Sequence, residues 1–167
     1  MVRPLLTSLH STAEWKAVGP GSWLLDMRVQ ARLDEFPLRV RFDVGYENGR
    51  WARRTATTLQ SWFITEQLSK HEVALKWTDN RARVIHRNVH VQHLDSVRPE
   101  VEDWAMIIQG DGIGVIGYVV RRYPDNCVEI EMEESKIEFV VHERCLCRVA
   151  DQDVLKPREY RDLVVDA

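Results

Sequence analysis

Cysteine is scarce: the chain has three in 167 residues. An odd, small number argues against a disulfide framework and makes a reducing compartment the default. Long apolar runs are also missing. Nothing approaches the ~18 consecutive apolar residues of a membrane helix, so no membrane segment is expected and the chain reads as soluble and intracellular. The opening residues 1–18 lack the sustained apolar stretch of a secretory signal. Paired CxxC knuckles are absent too. Cys127, His142, Cys145 and Cys147 could in principle supply a zinc set, but without those knuckles they read as buried structural groups. No motif supplies the Asp or Asn that would orient a Cys/His nucleophile pair.

What is present is enough for a core. Hydrophobic residues make up 44% of the chain, and its length suits one domain or two small ones. The net charge of −3 is unevenly spread. Residues 23–98 hold 13 basic and 9 acidic side chains, whereas residues 101–150 hold 5 and 10. The first half is therefore the candidate for a polyanionic partner.

A period of two dominates. Met27, Val29, Ala31 and Leu33 alternate with Arg28, Gln30 and Arg32. Leu38, Val40 and Phe42 alternate with Arg39, Arg41 and Asp43. Both stretches read as strands with an apolar and an arginine-rich face, joined by a turn near residues 34–37. Glu47-Asn48-Gly49 is a strong turn signal. Val73, Leu75 and Trp77 mark a further strand, Asp79-Asn80 turns it, and Val84, Val89 and Val91 carry the return. Two segments carry helical signals, the first of which, with its threonines and aromatics, suits a strand as well. Residues 57–68 place Leu59, Trp62 and Phe63 at i, i+3, i+4 behind Thr58, and Ser11 with Glu14 has capping-box spacing for a short helix through Trp15 and Ala17.

The second half is more regular. Residues 117–123 form a strand and Pro124-Asp125-Asn126 a turn. Val128, Ile130 and Met132 then alternate with Glu129, Glu131 and Glu133, and after Glu134-Ser135, Ile137, Phe139 and Val141 alternate with Glu138 and Val140. Every-second spacing puts those carboxylates on the solvent face of a strand, which is not a catalytic pair or a cation site. Gly112-Ile-Gly114-Val-Ile-Gly117 spells GxGxxG, but a dinucleotide site needs a helix after it, and a β-branched run ending in proline follows. The glycines read as turn and close-packing positions. His86, His90 and His93 at i, i+4, i+7 would converge on a metal only on a helix, and the valines around them predict strand and turn.

Gly110, Gly114, Gly117 and Val119, preceded by the apolar residues 104–108 and followed by a charged turn and two strands, resemble the KOW motif. Residues 93–99 lead into this module in the way seen in the tandem C-terminal KOW modules of the large subunit of the DSIF (Spt-type, NusG-related) transcription elongation factor, and the resemblance covers roughly residues 89–149. It implies SH3-like barrels of five strands. The expected fold is therefore all-β, with two tandem small SH3-like barrels, the first degenerate and enlarged by an insertion. The expected layout is a lead-in over 1–22, barrels over 23–98 and 99–150, and a tail over 151–167.

The resemblance also implies a non-catalytic interaction module in transcription elongation, contacting RNA polymerase and RNA or DNA in the nucleus, with no cofactor, metal or catalytic residue. The family's N-terminal domain, further KOW modules and repeat region are not seen, which weakens any link to its small zinc-bearing subunit. The candidate nucleic-acid contacts are Arg50, Arg53, Arg54, Arg81, Arg83 and Arg87, interleaved with aromatics and hairpin turns. Two alternatives stand beside this reading. A ribosomal-type KOW protein would bind rRNA, against which the sequence pI near 6.1 argues. A Tudor-like reader of methylated tails would use some of the six tryptophans as an aromatic cage, although their burial in two cores accounts for them as well.

Overall fold

Asp26 settles the conformation of the first stretch in the computed structural model, which describes residues 19–59 and 71–150. Its carboxylate accepts the Arg28 amide at 2.8 Å and the Arg28 guanidinium at 3.0 and 2.8 Å. This is a helix N-cap, and one helical turn follows, α1 (Met27–Gln30), behind a 3-10 turn at Ser22–Leu25. The strand expected from Met27 to Leu33 is thus replaced. Leu25, Val29, Leu33 and Phe36 are buried while Met27 is 57% exposed. Their spacing of three and four is helical, and Val29 and Leu33 fit both periods. Gln30 is buried as well, its side-chain amide donating to the Leu24 carbonyl at 2.6 Å.

Beyond Pro37 the period of two holds. β1 (Arg39–Phe42), β2 (Thr55–Thr58), β3 (Glu72–Thr78), β4 (Val84–His90) and β5 (Leu94–Ser96) form an antiparallel sheet in the order β4-β3-β2-β1-β5. Val40, Phe42, Ala56, Val73, Leu75, Trp77 and Val89 are its buried apolar positions. Of the two readings of residues 57–68, helix and strand, the strand holds at the start of the segment. Thr57 and Thr58 belong to β2, where β-branched side chains pack well and Thr58 Oγ1 accepts the Leu38 amide at 2.8 Å. Residues 60–68 of that segment, and the short helix expected around Trp15, lie outside the described residues.

The second unit repeats the plan. β6 (Trp104–Ile107), β7 (Ile116–Arg122), β8 (Cys127–Met132), β9 (Glu138–His142) and β10 (Leu146–Arg148) take the order β10-β6-β7-β8-β9. Ala105, Ile107, Val119, Val128, Ile130 and Leu146 form its core. One carboxylate departs from the expected solvent face: Glu131 is buried. In both units four strands meander and a fifth returns beside the first, so the chain is all-β with two small SH3-like barrels. The division falls between Val97 and Arg98. Among the described residues no helix is long and apolar enough to cross a membrane.

Each unit closes with the same device. His90 Nδ1 accepts the Gln92 amide at 3.1 Å and caps the 3-10 turn Val91–His93 ahead of Leu94. His142 Nδ1 accepts the Arg144 amide at 3.1 Å and caps Glu143–Cys145 ahead of Leu146. Both leucines are fully buried.

Candidate nucleic-acid interface

The connections β1–β2 and β3–β4 of the first unit bring most of the candidate arginines together. In the first, Asp43 Oδ1 accepts the Gly45 and Tyr46 amides at 2.9 and 3.1 Å. The chain then turns through Glu47, Asn48 and Gly49 at φ of 46°, 57° and 81°, a left-handed run that Asn and Gly tolerate. Trp51 follows, buried, its indole N–H donating to Glu47 Oε2 at 2.6 Å. In the second connection Asp79 is the organiser. Its Oδ1 accepts the Arg81 and Arg83 amides at 2.8 and 3.0 Å, and its Oδ2 accepts Arg83 Nε at 2.9 Å. The Arg83 amide above all, with the Arg81 amide and the Arg83 guanidinium, holds the Asp79 carboxyl below its ordinary range.

Arg50, Arg54, Arg81 and Arg83 surround an open concavity of ≈ 360 Å³ together with Trp51, Asp79 and Asn80. Arg50 stacks 4.6 Å from the Trp51 ring centre and Arg54 lies 5.9 Å from it. Arg54 donates to the Thr78 carbonyl at 2.9 Å and to the Asn80 side-chain oxygen, neutral acceptors that place it without cancelling its charge. Of these four arginines only Arg83 has a carboxylate partner among the described residues.

The other two candidates stand apart from the concavity. Arg53 is an exposed loop residue at φ 68°. Arg87 lies on β4, 5.8 Å from the Trp77 ring centre and 2.5 Å from Glu47 Oε1. Tyr46 first, and Glu47 with it, raise the Arg87 guanidinium above its ordinary range against the effect of burial. Sequence reasoning missed Glu47, Asp79 and Asn80 as the groups that position these cations. Their signal was present only as turn chemistry.

Among the described residues Trp51, Trp77 and Trp104 are buried. Trp77 meets Phe42 and Trp51 edge-on at 4.8 and 5.5 Å, and Phe42 stacks on Tyr46 at 5.2 Å. Phe42, Trp51 and Trp77 are all buried.

The KOW-motif glycines of the second unit serve the backbone. Gly110 and Gly114 have φ of 83° and 93°. Gly117 lies inside β7, where a Cβ would stand 3.0 Å from Ile130 Cδ1 and 3.3 Å from the Glu131 carbonyl oxygen. Val119 is fully buried opposite Ile130. The GxGxxG run leads into β7, so no helix N-terminus is present to receive a pyrophosphate. His86 is on β4, while His90 is engaged as a cap ahead of His93. Cys127 faces His142 across the β8–β9 ladder, and Cys147 is buried. Arg121, Arg122 and Arg148 pair with Glu129, Glu143 and Asp103, so the arginines described in the strands of the second unit each have a carboxylate partner.

No family model matches the sequence, and no curated protein matches it. Among solved structures the chain is similar to the crystal structure of Arabidopsis thaliana AGDP1 AGD34, at 12% identity over 72% of this chain and 88% of that one, with a TM-score of 0.26. It is also similar to the crystal structure of ADCP1 tandem Agenet domain 3-4, at 12% identity over 79% of this chain and 90% of that one, with a TM-score of 0.27. The fold assignment rests on the strand order and ladder register of the chain itself.

Proposed function

We propose that the chain is a non-catalytic interaction module whose first unit holds the phosphate backbone of RNA or DNA and whose acidic second unit docks protein. The observation that carries the reading is the arginine concavity. Arg50, Arg54, Arg81 and Arg83 converge there with Asp79 the one carboxylate among the lining residues, and the guanidiniums over Trp51 make the pocket a receptor for anions. A methyl-lysine would have to displace an intrinsic guanidinium from that ring. The resemblance of residues 89–149 to KOW modules adds RNA polymerase as the protein partner and a nuclear setting.

The test is a filter-binding salt titration with RNA and DNA. Six arginine contacts to a single strand predict a log–log salt slope of roughly −4. Reversing Arg53 and Arg81 to Glu should flatten it and leave the thermal midpoint nearly unchanged, since exposed substitutions usually shift stability by less than about 0.5 kcal/mol. Reversal at Arg83 is less clean, because a glutamate there would face Asp79 and test the turn as well. Absence of salt-dependent binding by the wild type would overturn the nucleic-acid role. Binding to methylated peptides on an array in its place would establish the Tudor-like reading.

A further inference from the structure

The first unit has a second depression, across the strands of its sheet. Ladder partners line up Arg39 on β1, Thr57 on β2, Lys76 on β3 and His86 on β4 in one row. With Thr55 and Arg54 they line an open groove of ≈ 530 Å³, and no carboxylate is among its described lining residues. Arg54 also lines the arginine concavity, so the two depressions share that side chain. Arg39 donates to Thr55 Oγ1 at 3.3 Å, and neither Lys76 nor His86 has an ion-pair partner among the described residues. None of the sequence signals for nucleic-acid contact included Arg39, Lys76 or His86, because each falls singly in its own strand and only the register brings them together.

The spacing selects the ligand. Directly opposite side chains stand about 5 Å apart, so Arg39 and Lys76 are roughly 10 Å apart and Arg39 and His86 roughly 15 Å. Flexible side chains let Arg39 and Lys76 converge on one phosphate, but the whole row, with His86 at its end, is matched along its length by a chain with a charge at every unit. Thr57 lies between Arg39 and Lys76 in the row but is buried, and Thr55, beside Arg39, is the neutral partner of the kind that contacts phosphate and sugar oxygens. The row lies in a recess, which one flexible strand can follow and a convex duplex would only bridge. Trp77 is buried, which leaves the exposed His86 imidazole as the ring among the described lining residues on which a base can stack, and stacking of that kind is tolerant of sequence.

We infer that this groove is a second subsite for single-stranded nucleic acid, carrying the backbone on from the arginine concavity across β1–β4 past Arg39, Lys76 and His86 in that order. The inference rests on the proposed polyanion role of the first unit and extends it with a path and a strandedness.

The experiment is fluorescence anisotropy on the full chain with homopolymer oligonucleotides of roughly 4 and 12 nucleotides, titrated with salt. The variants are Lys76→Gln, Lys76→Arg and Arg81→Glu, each checked by its melting curve. A short oligonucleotide fills one depression and a long one both. Lys76→Gln should therefore lower the slope for the longer oligonucleotide by about 0.7, the contribution of one cation, and Lys76→Arg should restore it. Arg81→Glu should weaken both lengths. If Arg81→Glu weakens binding while Lys76→Gln leaves the longer oligonucleotide unchanged, the groove is not used and the arginine concavity alone stands. If a duplex of equal length binds as tightly with the same dependence on Lys76, the single-strand assignment is wrong. If wild type binds neither length but binds poly-glutamate with a dependence on Lys76, the occupant is an acidic protein segment and both readings fall.

Discussion

Gly117 and Ile130 make a sharp test of how the second barrel is packed. A methyl group added at Gly117 would stand 3.0 Å from Ile130 Cδ1, 3.2 Å from Ile130 Cβ and 3.3 Å from the Glu131 carbonyl oxygen. Gly117 has no left-handed φ, so the whole penalty for Gly117→Ala is steric. Overpacking of this kind costs about 1–3 kcal/mol. For a unit of this size each 1 kcal/mol lowers the melting temperature by roughly 4–8 °C. Ile130→Val removes Cδ1, the nearest of the three atoms, and by itself costs about 0.5–1.5 kcal/mol. In the double variant the closest clash is gone and the other two remain. The two losses should then sum to less than their separate values by about 0.5–1 kcal/mol, a coupling within the range found for residues in contact. Urea unfolding of the four proteins in the cycle, followed by tryptophan fluorescence with a common m-value, measures it. Gly114→Val supplies the control, since its penalty comes from φ 93° and should not respond to Ile130→Val. Two results would refute the reasoning: a Gly117→Ala variant as stable as wild type, or strict additivity with Ile130→Val.

Two further outcomes follow from single side chains of the first unit. Asp26→Ala should cost about 1 kcal/mol, the usual value of an N-cap, while Asp26→Asn should retain most of the cap. Burial opposes ionisation of Asp26, but the side-chain and backbone hydrogen bonds from Arg28 outweigh it and lower the carboxyl pKa. Its contribution is therefore present above the unfolded value near 3.8 and is lost as the pH falls through the lower folded value, which urea midpoints across that range will show as a slope that Asp26→Asn abolishes. His90 behaves in the same direction at higher pH. Desolvation first, then His71 and His93, lower its pKa against the pull of Glu72, so the neutral cap is favoured in the folded state. Its stabilisation is complete above about 6.5 and is lost as pH falls from there through the lower folded value. Denaturant midpoints at neutral and mildly acidic pH should diverge for wild type and converge for His90→Asn, which can still accept the Gln92 amide.

β8 of the second barrel was legible because Val128, Ile130 and Met132 alternate with glutamates, and a period of two needs no tertiary knowledge. The stretch around Val29 was not. Val29 and Leu33 satisfy both an alternating and a helical pattern, and what decides is Asp26, whose carboxylate takes the Arg28 amide and guanidinium together. A capping aspartate is a signal that sequence can carry, but the strand expectation rested on the alternation of Met27, Val29, Ala31 and Leu33 alone. The arginine cluster was readable as composition and only partly as a site. Arg50, Arg54, Arg81 and Arg83 are brought together by two turns, whereas Arg53, adjacent in sequence, is excluded by a backbone conformation that no propensity indicates. Arg39, Lys76 and His86 were invisible because their proximity is a property of ladder register, which depends on every turn length between them.

The two barrels also show why one framework can carry opposite surfaces. With Leu94 set beside Leu146, the pair Arg41–Asp95 of the β1–β5 ladder falls on Met106–Cys147 of the β6–β10 ladder. The first pair is exposed, and the second is fully buried. β1 is therefore a half-buried strand that alternates, whereas β6 is covered on both faces and reads as the continuous run Trp104-Ala105-Met106-Ile107, as strands enclosed on two sides do. The closing elements, the capping histidine and the buried leucine after it, are the same in both units. The outward positions on the first ladder are left to solvent and hence to a ligand, while those on the second are taken up by packing. A cation placed at Met106 would be a buried charge and not a binding residue. The proposed nucleic-acid contact therefore belongs with the first unit, where outward strand positions stay open and the arginines gather.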